Sequence, residues 1–344
     1  MSTIHVSPPV RVLFGRGTLD RLPAEVERLG HGRALVVGGH TAERAERTLG
    51  PLAAGRFGPV AMHTPVDVTN EAMTMLRALG ADCVVAAGGG SATGLAKALA
   101  LRTGLDQIIV PTTYAGSEQT PVLGETAGGV KTTRSAETIR PGTVLYDVDL
   151  TLELPVASTV TSAMNALAHA VEALYAPDAD PITDGRALQA IEAIAGALPV
   201  VVAEPSDVDG RTALLRAAWL AGACIGTVRM GLQHKLCHVL GGTFGLPHAA
   251  THTVLLPHVM AFTAPAAPEA MAKIADALGA DDAAAGVSDL VRTVGGPTSL
   301  AALGLRADDL GRAAELATAE PYPHPRAATS AELRDLLEEA WKDS

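Results

Sequence analysis

Short, unbroken apolar runs dominate the first half of the chain. Ala34-Leu35-Val36-Val37, Asp82–Ala87, Ile108-Ile109-Val110 and Thr143–Asp147 have the length and β-branched content of strands covered on both faces, as in a parallel sheet. Between them apolar residues recur at helical spacing. Leu19, Leu22, Val26 and Leu29 predict a helix over 17–29, a second starts near Thr41, and a third spans Val68–Leu79 with Asn70 as its cap. A fourth follows Ser91 through Ala92, Leu95, Ala96, Leu99 and Leu101, and residues 1–15 read as a short extended segment. Alternating strands and helices predict a doubly wound, Rossmann-like α/β domain over residues 1–154.

Beyond Leu154-Pro155 the period changes. Ala- and Leu-rich helical patterns follow one another at 158–175, 184–202, 208–227, 231–240, 267–278, 286–293, 307–318 and 330–341, with turn clusters such as Pro177-Asp178-Ala179-Asp180-Pro181 between them. A second, all-helical domain over residues 155–344 is expected.

Composition narrows the class. Of 344 residues, 48% are hydrophobic and 18% charged, which is the make-up of a well-buried globular protein rather than a disordered one. Aromatic residues are only 3%, so the core must be built from Ala, Val and Leu. A net charge of −11 without any Lys/Arg run argues against nucleic acid and against an anionic membrane surface as partners. Cys83, Cys224 and Cys237 are too few and too scattered for a disulfide or metal framework. The start Met1-Ser2-Thr3-Ile4-His5 lacks a signal-peptide pattern and no uninterrupted apolar stretch of membrane-spanning length is expected, so the expected location is the cytoplasm.

The chemistry gathers in three places. Gly88-Gly89-Gly90-Ser91 joins a strand to a helix, where backbone N–H groups and the helix N-terminus can cradle a phosphate. Gly38-Gly39 after the first buried strand and the loop Pro111–Glu118, with Thr112, Thr113, Tyr114 and Ser117, reach the same sheet edge. Residues 231–260 carry His234, His238, His248, His252 and His258, five of the eleven histidines. His234 and His238 are four apart and share a helix face, and that helix is expected to stop at Gly241-Gly242. The sequence Leu256-Pro257-His258 reads equally as a structural turn. In helix 158–175, Asn165, His169 and Glu172 form one polar stripe on an otherwise apolar helix, so they need partners inside the protein.

These segments together resemble the iron-containing alcohol dehydrogenase superfamily over nearly the whole chain, and within it the maleylacetate reductase branch. The resemblance is carried by Gly88–Ser91 with Lys97, Pro111–Glu118, Gly128–Thr133, Met164–His169 with Glu172–Tyr175, His234–His238, Leu246-Pro247-His248, Pro321-Tyr322 and Pro325-Arg326. It implies a dehydroquinate synthase-like fold, NADH or NADPH bound in a cleft between the two domains, and a homodimer. Gly38, Gly39, Gly88, Gly89, Gly90, Ser91, Thr112, Thr113 and Ser117 are the expected cofactor-binding residues.

Metal-dependent relatives hold their ion with an Asp and three His, and the matching positions here are Asn165, His169, His234 and His248. An amide is a neutral, poorer ligand than a carboxylate. The expectation is therefore no resident metal, with His169, His234 and His248 as the ligands were one present. Gly94 likewise stands where metal-dependent relatives usually carry Asp. The implied reaction is NAD(P)H-dependent reduction of the enone double bond of maleylacetate, a small dicarboxylate, to 3-oxoadipate in aromatic-compound degradation. His238 would be the acid, His169, His234 and His248 the catalytic donors around the oxygen, and Asn165, Tyr114, Lys235 and Arg326 substrate contacts, with Arg229 a further candidate cation. The alternatives are a metal-dependent alcohol dehydrogenase or aldehyde reductase, a dehydroquinate synthase-like lyase, and an inactive relative serving as a binding protein.

Overall fold

The computed structural model describes residues 5, 6, 8–128 and 130–342. Contacts divide the chain between Leu154 and Pro155, with His5 and Val6 joining the C-terminal unit.

The N-terminal unit runs β1 (Arg11–Gly15), α1 (Leu22–Arg28), β2 (Ala34–Gly38), α2 (His40–Leu49), β3 (Ala53–Phe57), α3 (Val66–Leu79), β4 (Cys83–Gly88), α4 (Gly90–Thr103), β5 (Gln107–Pro111), β6 (Val122–Ala127), β7 (Val130–Ser135) and β8 (Thr143–Asp147). Six strands form one sheet in the order β1-β8-β5-β4-β2-β3, every pair parallel. The unbroken apolar runs are the central strands: every residue of β2, β5 and β8 is buried, because helices cover both faces. Asp147 ties the sheet's end together, its carboxylate accepting from the backbone N–H of Gly17, Leu19 and Asp149.

Two pieces of this unit escape the apolar pattern. The edge strand β3 (AAGRF) has no fully buried position, and β6–β7 is an antiparallel hairpin outside the main sheet. The extended segment expected at 1–15 is strand only from Arg11; residues 1–4 and 7, like Gly129 of the resemblance, lie outside the described residues. Asn70 is inside α3 rather than at its start, since Pro65 is the N-cap.

The C-terminal unit holds α5 (Val156–Leu174), α6 (Pro181–Ala203), α7 (Val208–Ile225), α8 (Leu232–Phe244), α9 (His248–Thr263), α10 (Pro268–Leu278), α11 (Ala283–Thr293), α12 (Leu310–Thr318) and α13 (Ser330–Trp341). Aliphatic side chains of α8, α9, α12 and α13 make its core, among them Leu236, Leu240, Leu255, Val259, Leu310, Leu333 and Leu337. Asp180 caps α6 through the N–H groups of Ile182 and Thr183, and Thr329 with Glu332 forms a capping box on α13.

Two corrections concern the histidine region. The helix of His234 does not stop at Gly241-Gly242 but runs to Phe244, where Gly245 takes the left-handed cap at φ 73°. The stretch 248–263 is a continuous helix with Pro257 inside it, not a turn. By length and composition alone α6 could cross a membrane, with a mean hydropathy of 1.5, but its apolar run is interrupted by Asp184, Arg186 and Glu192, and it packs against α5 and α7.

Candidate active site

In the α/β unit, the chain goes from β2 to β3 on one side and returns to β4 on the other, so the strand order reverses between β2 and β4. Ligands of open α/β sheets bind at such a switch point, beyond the carboxyl ends of the strands. Gly38-Gly39 and Gly88-Gly89-Gly90 lie there, leading into α2 and α4. A Cβ on Gly38, at φ +148°, would fall 2.2 Å from the Ala87 carbonyl oxygen, and one on Gly89 would sit 3.0 Å from Thr113 Cγ2. Neither helix start is capped by a side chain. These close, side-chain-free turns at helix N-termini fit the pyrophosphate of a dinucleotide.

The neighbouring loop is fastened from below. Lys97 is fully buried and its Nζ donates to Ser117 O (2.5 Å), Ser117 Oγ (3.2 Å), Thr120 Oγ1 (2.9 Å) and Val122 O (2.9 Å). Burial lowers the Lys97 pKa to about 7 and raises that of Glu118. Tyr146 OH donates to Glu118 Oε1 at 2.9 Å and accepts from Gln119 Nε2 at 3.0 Å. The Ser117 hydroxyl is thus engaged with Lys97, and Tyr114 is fully buried.

In the helical unit, the polar stripe of α5 is inside the protein: Asn165 is 3%, His169 5% and Glu172 1% exposed. A solvated face is excluded. Glu172 Oε1 accepts from the Gln233 backbone N–H at 2.9 Å, and Oε2 accepts from His234 Nδ1. Gly231 lets α8 begin this close, since a Cβ there would lie 2.8 Å from Pro323 O and 3.1 Å from Glu172 Oε1.

Around that anchor five imidazoles pack. His169 stacks on His234 with centroids 5.0 Å apart, His234 meets His238 at 5.9 Å, and His238 stacks on His248 at 6.1 Å. His252 occupies the middle, 4.6 Å from His248, 4.8 Å from His234 and 6.1 Å from His169. Gln233 Nε2 contacts its Nδ1 at 3.2 Å and its carbonyl oxygen at 3.3 Å. Burial first, then the four neighbouring rings, hold the His252 pKa well below the ordinary value. The residues expected to act together, His169, His234, His238 and His248, are thus in one cluster. His258 is not; it faces a separate surface recess of about 480 Å³ with Arg292, Glu339 and Lys342. His252 and Gln233 join the cluster without a role expected from the sequence, although the His248–His252 spacing matches that of His234–His238.

Of the cations expected to meet a dianion, two are engaged elsewhere. Arg326 pairs with Glu332 and lies over the Phe262 ring at 4.0 Å, and Arg229 pairs with Asp178 at 3.1 Å. Lys235 has only a loose contact, 3.8 Å, with the exposed Glu320.

A metal is implied by the resemblance, so the donor set matters. Asn165 contributes an amide where an acid would be needed, and among the described residues no three His, Cys, Asp or Glu side chains are placed to hold an ion. Asn165 is therefore the one position of the four that departs from the donor set of the metal-dependent relatives.

Known proteins resemble the chain over nearly its whole length. The family model for iron-containing alcohol dehydrogenase matches residues 9–148, and that for the C-terminal part of the Fe-containing alcohol dehydrogenase family matches residues 159–341. Maleylacetate reductase 1 of Rhodococcus opacus is 56% identical over 343 residues, covering 98% of this chain and 96% of its own length. The crystal structure of maleylacetate reductase from Agrobacterium tumefaciens has a TM-score of 0.93 at 50% identity, covering 99% and 98% of the two chains. That of a putative alcohol dehydrogenase from Ralstonia eutropha JMP134 has a TM-score of 0.97 at 48% identity, with the same coverage. The chain is a member of the iron-containing alcohol dehydrogenase family and an NAD(P)H-dependent oxidoreductase.

Proposed function

We propose that this enzyme reduces the carbon–carbon double bond of maleylacetate to give 3-oxoadipate, without a metal. The observation that carries the reading is the buried imidazole cluster with Asn165 on its α5 edge. Maleylacetate is a 4-oxo-2-enedioate, whose double bond is conjugated to a ketone. The bound nicotinamide supplies the hydride, which adds at the carbon β to that ketone. The alkene's electron pair moves onto the ketone oxygen, giving an enolate, and a proton on the α carbon completes the product. An enolate is much less basic than an alkoxide, so oriented hydrogen-bond donors can hold it.

Gly38, Gly39, Gly88–Ser91, Thr112 and Thr113 would hold the cofactor in the α/β unit. In the helical unit His169, His234 and His248 surround the substrate, Asn165 contacts it, and His238, which is only half-buried, serves as the acid. Lys235 is the cation most cheaply released to a substrate carboxylate, because an exposed ion pair contributes about 0–1 kcal/mol. The reading extends to a cytosolic homodimer. Maleylacetate-dependent loss of nicotinamide absorbance by chelator-treated enzyme tests it. If turnover instead requires added Zn²⁺ or Fe²⁺ and an alcohol or aldehyde, a metal-dependent dehydrogenase replaces it.

A further inference from the structure

Two adjacent rings at the centre of the cluster are held with opposite hydrogen-bonding character. Gln233 is fully buried, and its Nε2 lies 3.3 Å from the His252 carbonyl oxygen. A carbonyl only accepts, so this corner of the amide is NH₂ and not oxygen. The other hydrogen on the same nitrogen then meets His252 Nδ1, 3.2 Å away, a nearer and stronger acceptor than Cys237 Sγ at 3.8 Å. A ring nitrogen that accepts carries no proton, so His252 is neutral with its proton on Nε2. That Nε2 is buried, and no described residue pairs with it.

At His234 the order is reversed. The Glu172 carboxylate accepts from the Gln233 backbone and from His234 Nδ1, so Nδ1 bears the proton. In the neutral ring Nε2 then offers a lone pair, and it too is buried without a partner among the described residues. The two rings are 4.8 Å apart. The buried Nε2 is a donor on one ring and an acceptor on the other.

We propose that His252 is the hydrogen-bond donor to the ketone oxygen as it becomes an enolate, and that Gln233 is the positioning residue that fixes its Nε2–H form. This rests on the enone reduction proposed above. Three observations converge on it. His252 touches three other imidazoles, its buried Nε2–H has no acceptor among the described residues, and its tautomer is set by Gln233 before substrate arrives. Preoriented donors are the most effective way to hold a developing oxyanion. A neutral imidazole N–H is also a far weaker acid than an imidazolium. It can therefore hold the enolate oxygen without surrendering its proton there, which leaves the α carbon to be protonated and the C–H bond of the product to form. His234, presenting a lone pair, cannot fill the role in its neutral form.

The test is ring-¹⁵N histidine NMR on the substrate-free enzyme, so that a wrong tautomer is told apart from a wrong substrate. Wild type should show His252 protonated at Nε2; protonation at Nδ1 overturns the proposal. In Gln233→Met the single Nε2–H signal should give way to a mixture of both forms while the KM for NADH stays put; an unchanged spectrum removes Gln233 as the positioner. His252→Phe keeps a ring without the donor and should lose about 10²–10³-fold in kcat. A wild-type kcat in that variant would end the assignment.

Discussion

Removing the Glu172 side chain should cost far more than converting it to an amide. In Glu172→Ala, the Gln233 N–H and the His234 Nδ1–H both lose their acceptor in a site only 1% exposed. Each orphaned buried donor costs about 1–3 kcal/mol, and the one lost methylene adds about 0.8 kcal/mol. The sum, about 3–7 kcal/mol, is a large part of the 5–15 kcal/mol that ordinarily holds a domain together. Glu172→Gln behaves differently. Its one oxygen can serve the Gln233 N–H, which has no alternative, and its NH₂ then faces His234. The imidazole can answer by moving its proton to Nε2 and accepting at Nδ1, which keeps the Nδ1 contact but leaves a buried Nε2–H without an acceptor among the described residues. The expected cost is about 1–3 kcal/mol, the scale of one orphaned buried donor, with an inverted His234 tautomer. Urea denaturation followed by circular dichroism gives both stabilities, and ring-¹⁵N spectra give the tautomer. Equal losses for Ala and Gln, or an unmoved His234 proton in the Gln variant, would refute this account of the carboxylate.

His238→Ala should lower kcat by about 10²–10⁴-fold, the usual worth of a positioned acid, while NADH still binds by fluorescence titration; an unchanged rate takes it out of the mechanism. Gly38→Ala drives a methyl group against the Ala87 carbonyl, 2.2 Å away, at a backbone angle that L-residues avoid. It should weaken NADH binding by about tenfold or more, given strain of 1–3 kcal/mol, and an affinity equal to wild type would contradict the placement of the cofactor. Exhaustive chelation should leave the maleylacetate-dependent rate unchanged, and metal content by plasma emission should not track activity. Asp180 is opposed by its burial, but hydrogen bonds from His5, Thr183 and Ile182 prevail and hold its pKa well below the ordinary carboxylate value. Its stabilisation is complete above the unfolded pKa of about 4 and is lost as pH falls through the folded one. The lead of wild type over Asp180→Asn in urea should therefore shrink on acidification below about pH 4; a constant lead would count against it.

What could be read from the chain depended on whether a residue's surroundings are local. The parallel strands were legible because burial on both faces writes an unbroken run such as Ala34–Val37, whereas β3 and the β6–β7 hairpin lie at edges and write none. Asn165, His169 and Glu172 were legible as an interior stripe, since a helix apolar on every other side has nowhere else to put them. The fate of Arg326 was not, because an exposed guanidinium takes its partner from tertiary structure, here Glu332 and the Phe262 ring. His252 is the instructive miss. Pro257 and the preceding Gly-Leu-Pro made 248–263 look broken, and with the helix unseen the four-residue spacing of His248 and His252 lost its meaning. A proline late in a helix need not end it, since its missing N–H costs one hydrogen bond that neighbouring packing can outweigh. Had the helix been drawn through Pro257, two i, i+4 histidine pairs on consecutive helices would have pointed at each other, and Gln233, one residue before the first pair, would have been the polar side chain nearest to both.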